Sequence, residues 1–265
     1  MKTEGEEPLT IEREILKVNL RKGSVESLNE EIVVEKRMEL YINDKRYAVF
    51  LCLASQIREL AVGHLLTEGL IESLEEIKNL EVSEEKVYVY LTKEIVELLE
   101  KTRIILTACG GRAGKILPHL WMKMRSDSTM KLKPQTIIRA AETLNSKARI
   151  FRRTGATHAS ALLDEDGRVL AFSEDVGRHN TIDKVVGKAA LESIDLRRVL
   201  LASTGRLTSE MVIKAAYVKI PVIVSLSAPT DKGIKIAETA GITLIGFTMG
   251  RRFNIYTHPE RIEEL

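Results

Sequence analysis

The chain has 265 residues, of which 44% are hydrophobic, 29% charged and 5% aromatic, with 16 Gly and 6 Pro. These proportions suit one large folded domain or two modest ones, and exclude a disordered chain, a collagen-like repeat and a disulfide scaffold. The formal net charge of +2 conceals a polarity: residues 1–100 hold 13 basic and 22 acidic residues, 101–153 hold 13 and 2, and 154–265 hold 14 and 14. The basic middle stretch is where an anionic ligand is expected; the competing reading is a solvated face that pairs with the acidic first third. Only Cys52 and Cys109 are present, which fits a reducing compartment. The start is acidic and polar, and no apolar run approaches the roughly 18 residues of a membrane span. The expectation is a soluble cytoplasmic protein with no membrane contact.

Residues 10–53 predict strands, with Asn43-Asp44 as a hairpin turn. Ser55 is expected to cap a helix carrying Ile57, Leu60, Ala61, His64 and Leu65, with Gly69 ending it. Two short strands are expected within 80–91 and a short helix over 93–101. A strand Arg103–Thr107 leads into the glycine-rich stretch Cys109–Lys115, and Pro134 opens a helix to about Lys147. The pattern then alternates. Thr157–Leu163 and Arg168–Ser173 form a hairpin, Thr181–Ser193 a helix, Arg198–Ser203 a strand and Thr208–Val218 a helix. Pro221–Ser227 is a strand, Thr230–Ala240 a helix, Ile242–Thr248 a strand and Phe253–Tyr256 a last short strand. Such alternation predicts a sheet covered by helices.

Several motifs fail. In CGGRAGKI the first glycine of a phosphate-binding loop would fall on Cys109, and Ile116 follows Lys115 where Ser or Thr is needed. No G-x-G-x-x-G, G-x-S-x-G or H-E-x-x-H occurs, and two distant cysteines make no zinc site. His64 is expected to be a packed or capping histidine, and Cys52, within VFLCLA, a packed one. Cys109 is the candidate nucleophile, because glycines leave it uncovered and Arg112 and Lys115 favour its thiolate; the alternative is a small buried side chain at a strand end.

Three loops leaving strands share a composition. Glu174–Asn180 offers Arg178 and His179 at a helix start, with a plain turn capped by Asn180 as the alternative. Ser203-Thr204-Gly205-Arg206 and Ser227-Ala228-Pro229-Thr230 are rich in hydroxyls and, in the first, a guanidinium. In a parallel sheet such loops converge on one edge, where ligands bind. The run Phe247-Thr248-Met249-Gly250-Arg251-Arg252 adds two guanidiniums for phosphate and a ring for stacking, against a solvated turn.

With SQIRELAVGHLLTEGLI (55–71), TGATHASAL (154–162), EDVGRHNTIDK (174–184), STGRLTSEMVIKAA (203–216), SAPT (227–230) and GFTMGRRFNIYT (246–257) assembled, the sequence resembles the formate dehydrogenase accessory protein family, FdhD, from about Ile11 to Ile262. The resemblance implies an α/β architecture: a smaller α+β domain over 1–105, and a cytidine-deaminase-like domain with a helix-covered mixed sheet over 106–265. It implies a sulfur carrier, a sulfurtransferase in the broad sense. A cysteine desulfurase would load Cys109 as a persulfide. The sulfur would pass to a molybdenum bis(molybdopterin guanine dinucleotide) cofactor, or its tungsten analogue, bound as substrate, in support of the formate dehydrogenase catalytic subunit. The match assigns Phe247, Thr248, Met249, Gly250, Arg251 and Arg252 to the cofactor segment. The strand-end loops add Arg178, His179, Asn180, Ser203, Gly205, Arg206 and Ser227.

The chain departs from the family's C-x-x-C by carrying Arg112 in place of the second cysteine, which disfavours an internal disulfide but not a persulfide on Cys109. It also has His158-Ala159-Ser160 and no P-C-x-x-C, so neither zinc nor deaminase chemistry is expected. The competing reading is a non-catalytic cofactor chaperone. Nucleic-acid binding is disfavoured, since the basic stretch has few aromatics beyond Trp121 and Phe151. A homodimer is expected only from the frequency of two-fold assemblies.

Overall fold

A computed structural model of the chain describes residues 8–92 and 124–264. The expected helix 93–101, the strand Arg103–Thr107, the stretch Cys109–Lys115 with Arg112, and the 105/106 domain boundary all lie outside the described residues.

The first third folds as expected into strands, in two sheets. β1 (Thr10–Asn19) and β2 (Ser24–Val33) form a separate antiparallel pair. β3 (Lys36–Ile42), β4 (Lys45–Cys52), β5 (Ile77–Val82) and β6 (Lys86–Leu91) form a four-stranded sheet in the order β4-β3-β6-β5. Asn43 and Asp44 make the β3–β4 turn with φ of 47° and 65°, the left-handed pair that a tight hairpin demands.

Helix α1 (Ile57–Thr67) follows β4. Its cap is not Ser55 but Gln56, whose backbone is left-handed and whose side chain makes no capping bond. The Gln56 amide donates instead to Phe172 O, a tertiary contact that the local rule could not anticipate. Gly69 ends the helix as expected, at φ +66°, with the Tyr217 ring packed where a β-carbon would stand.

The remainder is a six-stranded mixed sheet in the order β12-β11-β10-β9-β7-β8. Its strands are β7 (His158–Leu163), β8 (Val169–Asp175), β9 (Leu200–Ser203), β10 (Val222–Ser225), β11 (Thr243–Met249) and β12 (Arg252–Thr257). Numbered among the described residues, the helices after α1 are α2 (Pro134–Lys147), α3 (Arg149–Thr154), α4 (Arg178–Leu191), α5 (Ser209–Tyr217) and α6 (Asp231–Ala240). α4 begins three residues before the expected Thr181, so Arg178, His179 and Asn180 occupy its first turn and Gly177, not Asn180, caps it. Thr230 caps α6 through a bond from Gly233 N to its Oγ1.

The central strands are buried on both faces, as parallel strands between helices must be. Ala159, Ala161, Leu163, Leu200, Ala202, Val222 and Val224 pack beneath Ile137, Ala140 and Leu144 of α2. The alternate residues Leu162, Leu201 and Ile223 face the core of α4 and α5. That second core runs without interruption into α1 and the four-stranded sheet, through Leu60, Leu65, Leu40, Phe50 and Val89.

Two features fix α1 on α4. The helices cross at glycines: a β-carbon on Gly63 would stand 1.7 Å from Asp183 O, and one on Gly187 would stand 1.9 Å from Glu59 O. Beside the crossing lies a buried polar cluster. Asp183 takes a bond from Thr67 Oγ1 at 2.6 Å, lies 3.1 Å from His64 Nδ1, and pairs with Lys214 Nζ at 2.9 Å. Lys214 also pairs with Glu68 at 2.8 Å. Burial by itself would raise the Asp183 pKa; the Lys214 charge and the bonds from His64 and Thr67 outweigh it and hold the carboxyl at about 2. His64 is the packed histidine expected, its ring edge-on to Phe50 at 4.9 Å.

Gly63→Ala would gain helix propensity on an open helix, but here it drives a methyl into a backbone carbonyl. We expect a loss of about 3 kcal/mol, read as a lower denaturation midpoint, at the upper end for overpacked sites. A variant at least as stable as the parent would contradict the crossing. The Asp183 carboxyl, depressed from 3.8 to about 2, contributes stability above about pH 4 that is lost as pH falls toward about 2. Asp183→Asn should therefore melt lower at neutral pH and lose less across that acid window; parental melting at neutral pH would refute the role of the cluster.

Candidate functional site

β7 is antiparallel to both β8 and β9, while β9, β10 and β11 are mutually parallel, so β8, β9, β10 and β11 all point the same way. Their carboxyl ends, Asp175, Ser203, Ser225 and Met249, open on one edge of the sheet. The amino ends of β7 at His158 and β12 at Arg252 stand there too, opposite Asp175 and Met249. The convergence expected from the loops' composition is therefore present in the fold.

Hydrogen bonds stitch these segments together. Thr204 Oγ1 accepts from Ala159 N and lies 3.1 Å from His158 Nδ1. Ser203 Oγ accepts from Gly205 N at 3.2 Å, and Ser225 Oγ donates to Gly205 O at 2.7 Å. Ser227 Oγ donates to Thr204 O at 3.0 Å, and Phe247 N donates to Ser227 O at 3.1 Å. Arg178 reaches across from α4: a β-carbon on Gly205 would lie 3.0 Å from Arg178 Cβ and 3.1 Å from its Cδ, so a glycine there is what admits the arginine stem. Arg178, Ser203, Gly205, Ser227 and Phe247 are thus one connected structure.

The other expected residues have different placements. Arg206, Arg251 and Arg252 are exposed. Phe247 and Met249 are 50% and 62% exposed. Phe247 holds a left-handed backbone, φ 51°, where the β11–β12 register shifts between Gly246 and Met249, and Gly250 follows at φ +62°. Thr248 points inward, wholly buried, and His179 Nε2 lies 3.2 Å from Glu210 Oε2 of α5. Asn180 is buried with its amide nitrogen committed at 2.8 Å to both Leu51 O and Asp175 Oδ1, so its work is to hold the loop.

Asp175 anchors the same loop. Its Oδ1 accepts from Gly177 N at 2.9 Å; its Oδ2 accepts from Leu53 N at 3.0 Å and pairs with Lys184 Nζ at 2.6 Å. Lys184 in turn donates to Leu53 O at 3.0 Å. Glu174 is spent likewise, accepting from Ile150 N, Phe151 N and Thr157 Oγ1 at the start of α3. With both carboxylates of the loop neutralised or capped, the edge presents guanidiniums, hydroxyls and the amino ends of α4, α5 and α6, whose dipoles favour anions, together with Glu210 beside His179 in the first turn of α5 and the exposed Asp231 in the first turn of α6. Among the described residues Arg178 Nε is buried without a hydrogen-bond partner, the condition of a donor that a ligand would satisfy; Thr248 Oγ1 also lacks one but points into the protein.

His158 and Thr204 belong to this edge, although the sequence considered His158 only as a zinc ligand. Burial first, then the charges of Arg178 and His179, hold the His158 pKa below its ordinary value, against the pull of Asp175. The ring is therefore neutral at physiological pH. Its Nδ1 shares a hydrogen bond with Thr204 Oγ1, which also accepts from Ala159 N. No group of three or more His, Cys, Asp and Glu among the described residues is placed to hold a metal ion.

A cleft of about 1000 Å³ lies at the opposite edge. It is lined by Arg125, Lys133, Arg139 and Arg198, but also by Asp127 and Glu165. It opens beside the strands' amino ends and borders the amino end of α2 at Lys133, Gln135 and Thr136, but its charges are mixed, which makes it the poorer anion site. Cys52, the cysteine within the described residues, is buried; burial, then the Asp175 charge, pushes its thiol up to about 12. It carries no thiolate at neutral pH.

Comparison with known proteins adds an independent line. Residues 33–263 match the model of the FdhD/NarQ family. "Sulfur carrier protein FdhD" of Wolinella succinogenes is 36% identical over 237 residues, covering 88% of this chain and 82% of that protein. The protein of the same name from Bacillus subtilis is 32% identical, covering 91% and 94%. A crystal structure described as a formate dehydrogenase accessory protein from Desulfotalea psychrophila superposes with a TM-score of 0.79 at 26% identity, covering 96% of this chain and all of that one.

Proposed function

The chain belongs to the FdhD/NarQ family, and from that premise we propose that it is a sulfur carrier in formate dehydrogenase maturation. It receives sulfur from a cysteine desulfurase as a persulfide on Cys109 and passes it to a molybdenum, or tungsten, pterin guanine dinucleotide held at the sheet edge. The observation that supports this most is the edge itself, where four strand ends with aligned direction present guanidiniums and hydroxyls and no uncommitted carboxylate from the 174–180 loop.

The substrate is a polyanion with a purine, and the chain's own groups suit it. Arg206, Arg251 and Arg252 are exposed for phosphates, and Phe247 is exposed for a ring. The buried Arg178 Nε lacks a partner within the protein. Neutral His158 adds a hydrogen-bonding ring without adding charge. The sulfur step needs one thiolate. Cys109 Sγ attacks the outer sulfur of the donor persulfide, a new S–S bond forms on Cys109, and the donor sulfur leaves as thiolate, so no oxidant is consumed. Cys52 is removed from contention by its burial and raised pKa, and a single carrier thiol agrees with Arg112 standing where a second family cysteine would be.

The antiparallel pair β7–β8, followed by parallel strands alternating with α5 and α6, supports a cytidine-deaminase-like ancestry for the C-terminal part. The absence of P-C-x-x-C from the sequence argues that zinc chemistry was not retained.

The test is mass measurement after incubation with a cysteine desulfurase and cysteine. The parent should gain about 32 Da, one sulfur atom. Cys109→Ser should gain none, and Cys52→Ser should gain as much as the parent. A parent without adduct would overturn sulfur carriage and favour a cofactor chaperone, and an adduct that persists in Cys109→Ser would overturn the assignment of the thiol.

A further inference from the structure

His179 and Glu210 make a contact that neither the anchoring of the 174–180 loop nor the proposed ligand accounts for. Glu174 and Asp175 just precede α4, and Glu210 lies in the first turn of α5. Glu174 and Asp175 are spent on backbone amides and on Lys184. Glu210 is held by a histidine instead. Its Oε2 lies 3.2 Å from His179 Nε2, and its side chain is 22% exposed.

The position of Glu210 serves the helix and opposes the ligand. A carboxylate in the first turn stabilises α5 through the helix dipole. The same charge follows closely on the 203–206 loop, where the Arg178 stem packs on Gly205 and Arg178 Nε lacks an acceptor. An anion drawn to Arg178 and Arg206 is repelled by a free carboxylate four residues beyond Arg206. His179 is placed to manage that charge. It adjoins Arg178 in the first turn of α4, yet its side chain is 14% exposed. Its Nε2 is buried and makes no regular hydrogen bond, so the ion-pair contact with Glu210 is what engages it. A ring nitrogen closed off against a carboxylate is not free to bind a phosphate.

We propose that His179 is a positioning residue that acts through Glu210: it holds that carboxylate against α4, away from the anion, and does not itself touch the ligand. The inference deepens the reading of the edge as an anion site and rests on it. It reassigns His179, which the sequence placed among the groups that bind the cofactor directly. It also gives the pair an ordered dependence, because the histidine matters to the ligand only while the carboxylate is there. A direct ligand contact, or a plain brace between α4 and α5, has no such dependence.

Titration calorimetry with GDP on the full chain tests it through a double-mutant cycle. His179→Ala frees the carboxylate and should weaken binding about tenfold. Glu210→Gln should bind GDP at least as tightly as the parent. His179→Ala combined with Glu210→Gln should return to within about twofold of Glu210→Gln alone. The tenfold loss should shrink to about threefold as salt rises from about 0.05 to about 0.5 M, because it is a repulsion between charges open to water. His179→Phe keeps the bulk of the ring but cannot pair with a carboxylate, and it should behave as His179→Ala does, so the cycle stands even where the alanine variant fails to fold. A double variant as weak as His179→Ala would show that His179 contacts the ligand. Glu210→Gln as weak as His179→Ala would show a brace between helices. Either result overturns the inference and leaves the anion site in place, whereas a parent that binds no GDP would overturn the site and the inference with it.

Discussion

The buried pair of Asp175 and Lys184 is the constraint on which the rest of the structure depends. Two opposite charges with no exposed side-chain surface are tolerable only if they are paired and further hydrogen-bonded, and here they are. Between them they bind Leu53 N and O at the end of β4, Gly177 N before α4, and the Asn180 side chain, which itself returns to Leu51 O. One carboxylate thereby ties the four-stranded sheet to the six-stranded one and sets the path of the loop that carries Arg178 and His179. The glycine crossing of α1 on α4 and the Asp183–Lys214 cluster repeat the same logic one layer deeper. The N-terminal third is therefore part of the site's foundation.

Fixing that loop has an electrostatic result. Glu174 and Asp175 lie beside the edge, and either one, if exposed, would oppose an anionic ligand. Both are instead turned into the structure, one toward the amino end of α3 and the other toward Lys184. What faces outward there is a set of guanidiniums and hydroxyls ahead of three helix amino ends, with Asp231 of α6 as an exposed acid beside them, in a place where the chain's own hydrogen bonds already hold the backbone. The near-zero net charge of the whole chain is compatible with a locally cationic edge because the compensating acids are elsewhere, many of them in the first hundred residues.

Much of this was legible in the sequence. The alternation of strand and helix after residue 154, the Asn43-Asp44 turn, the Gly69 stop and the Thr230 cap follow from local rules, and the structure has them. So does the convergence of the 174–180, 203–206, 227–230 and 247–252 segments, because shared strand direction is enough to bring such loops together. What local rules could not supply was tertiary. Nothing near Gln56 announces that its amide bonds Phe172 O in place of a Ser55 cap. Asn180 looks like a cap or a ligand group until β4 is laid beside it. Lys184 could have been suspected, since it shares the apolar face of its helix with Thr181 and Val185, a position where a lysine must find a buried acid. His158 and Thr204 were visible as residues but not as partners, because they lie 46 positions apart and meet only through β7 and β9.

The central claim, that the carboxyl edge of the six-stranded sheet receives an anionic dinucleotide, is most directly tested by a crystal structure of the protein with a guanine nucleotide. The account predicts density at that edge, with the phosphates reached by Arg206 and Arg252, the base near Phe247, and Arg178 bonded where it now lacks a partner. Density in the cleft at the opposite edge, beside Arg125, Lys133 and Arg139, would contradict it.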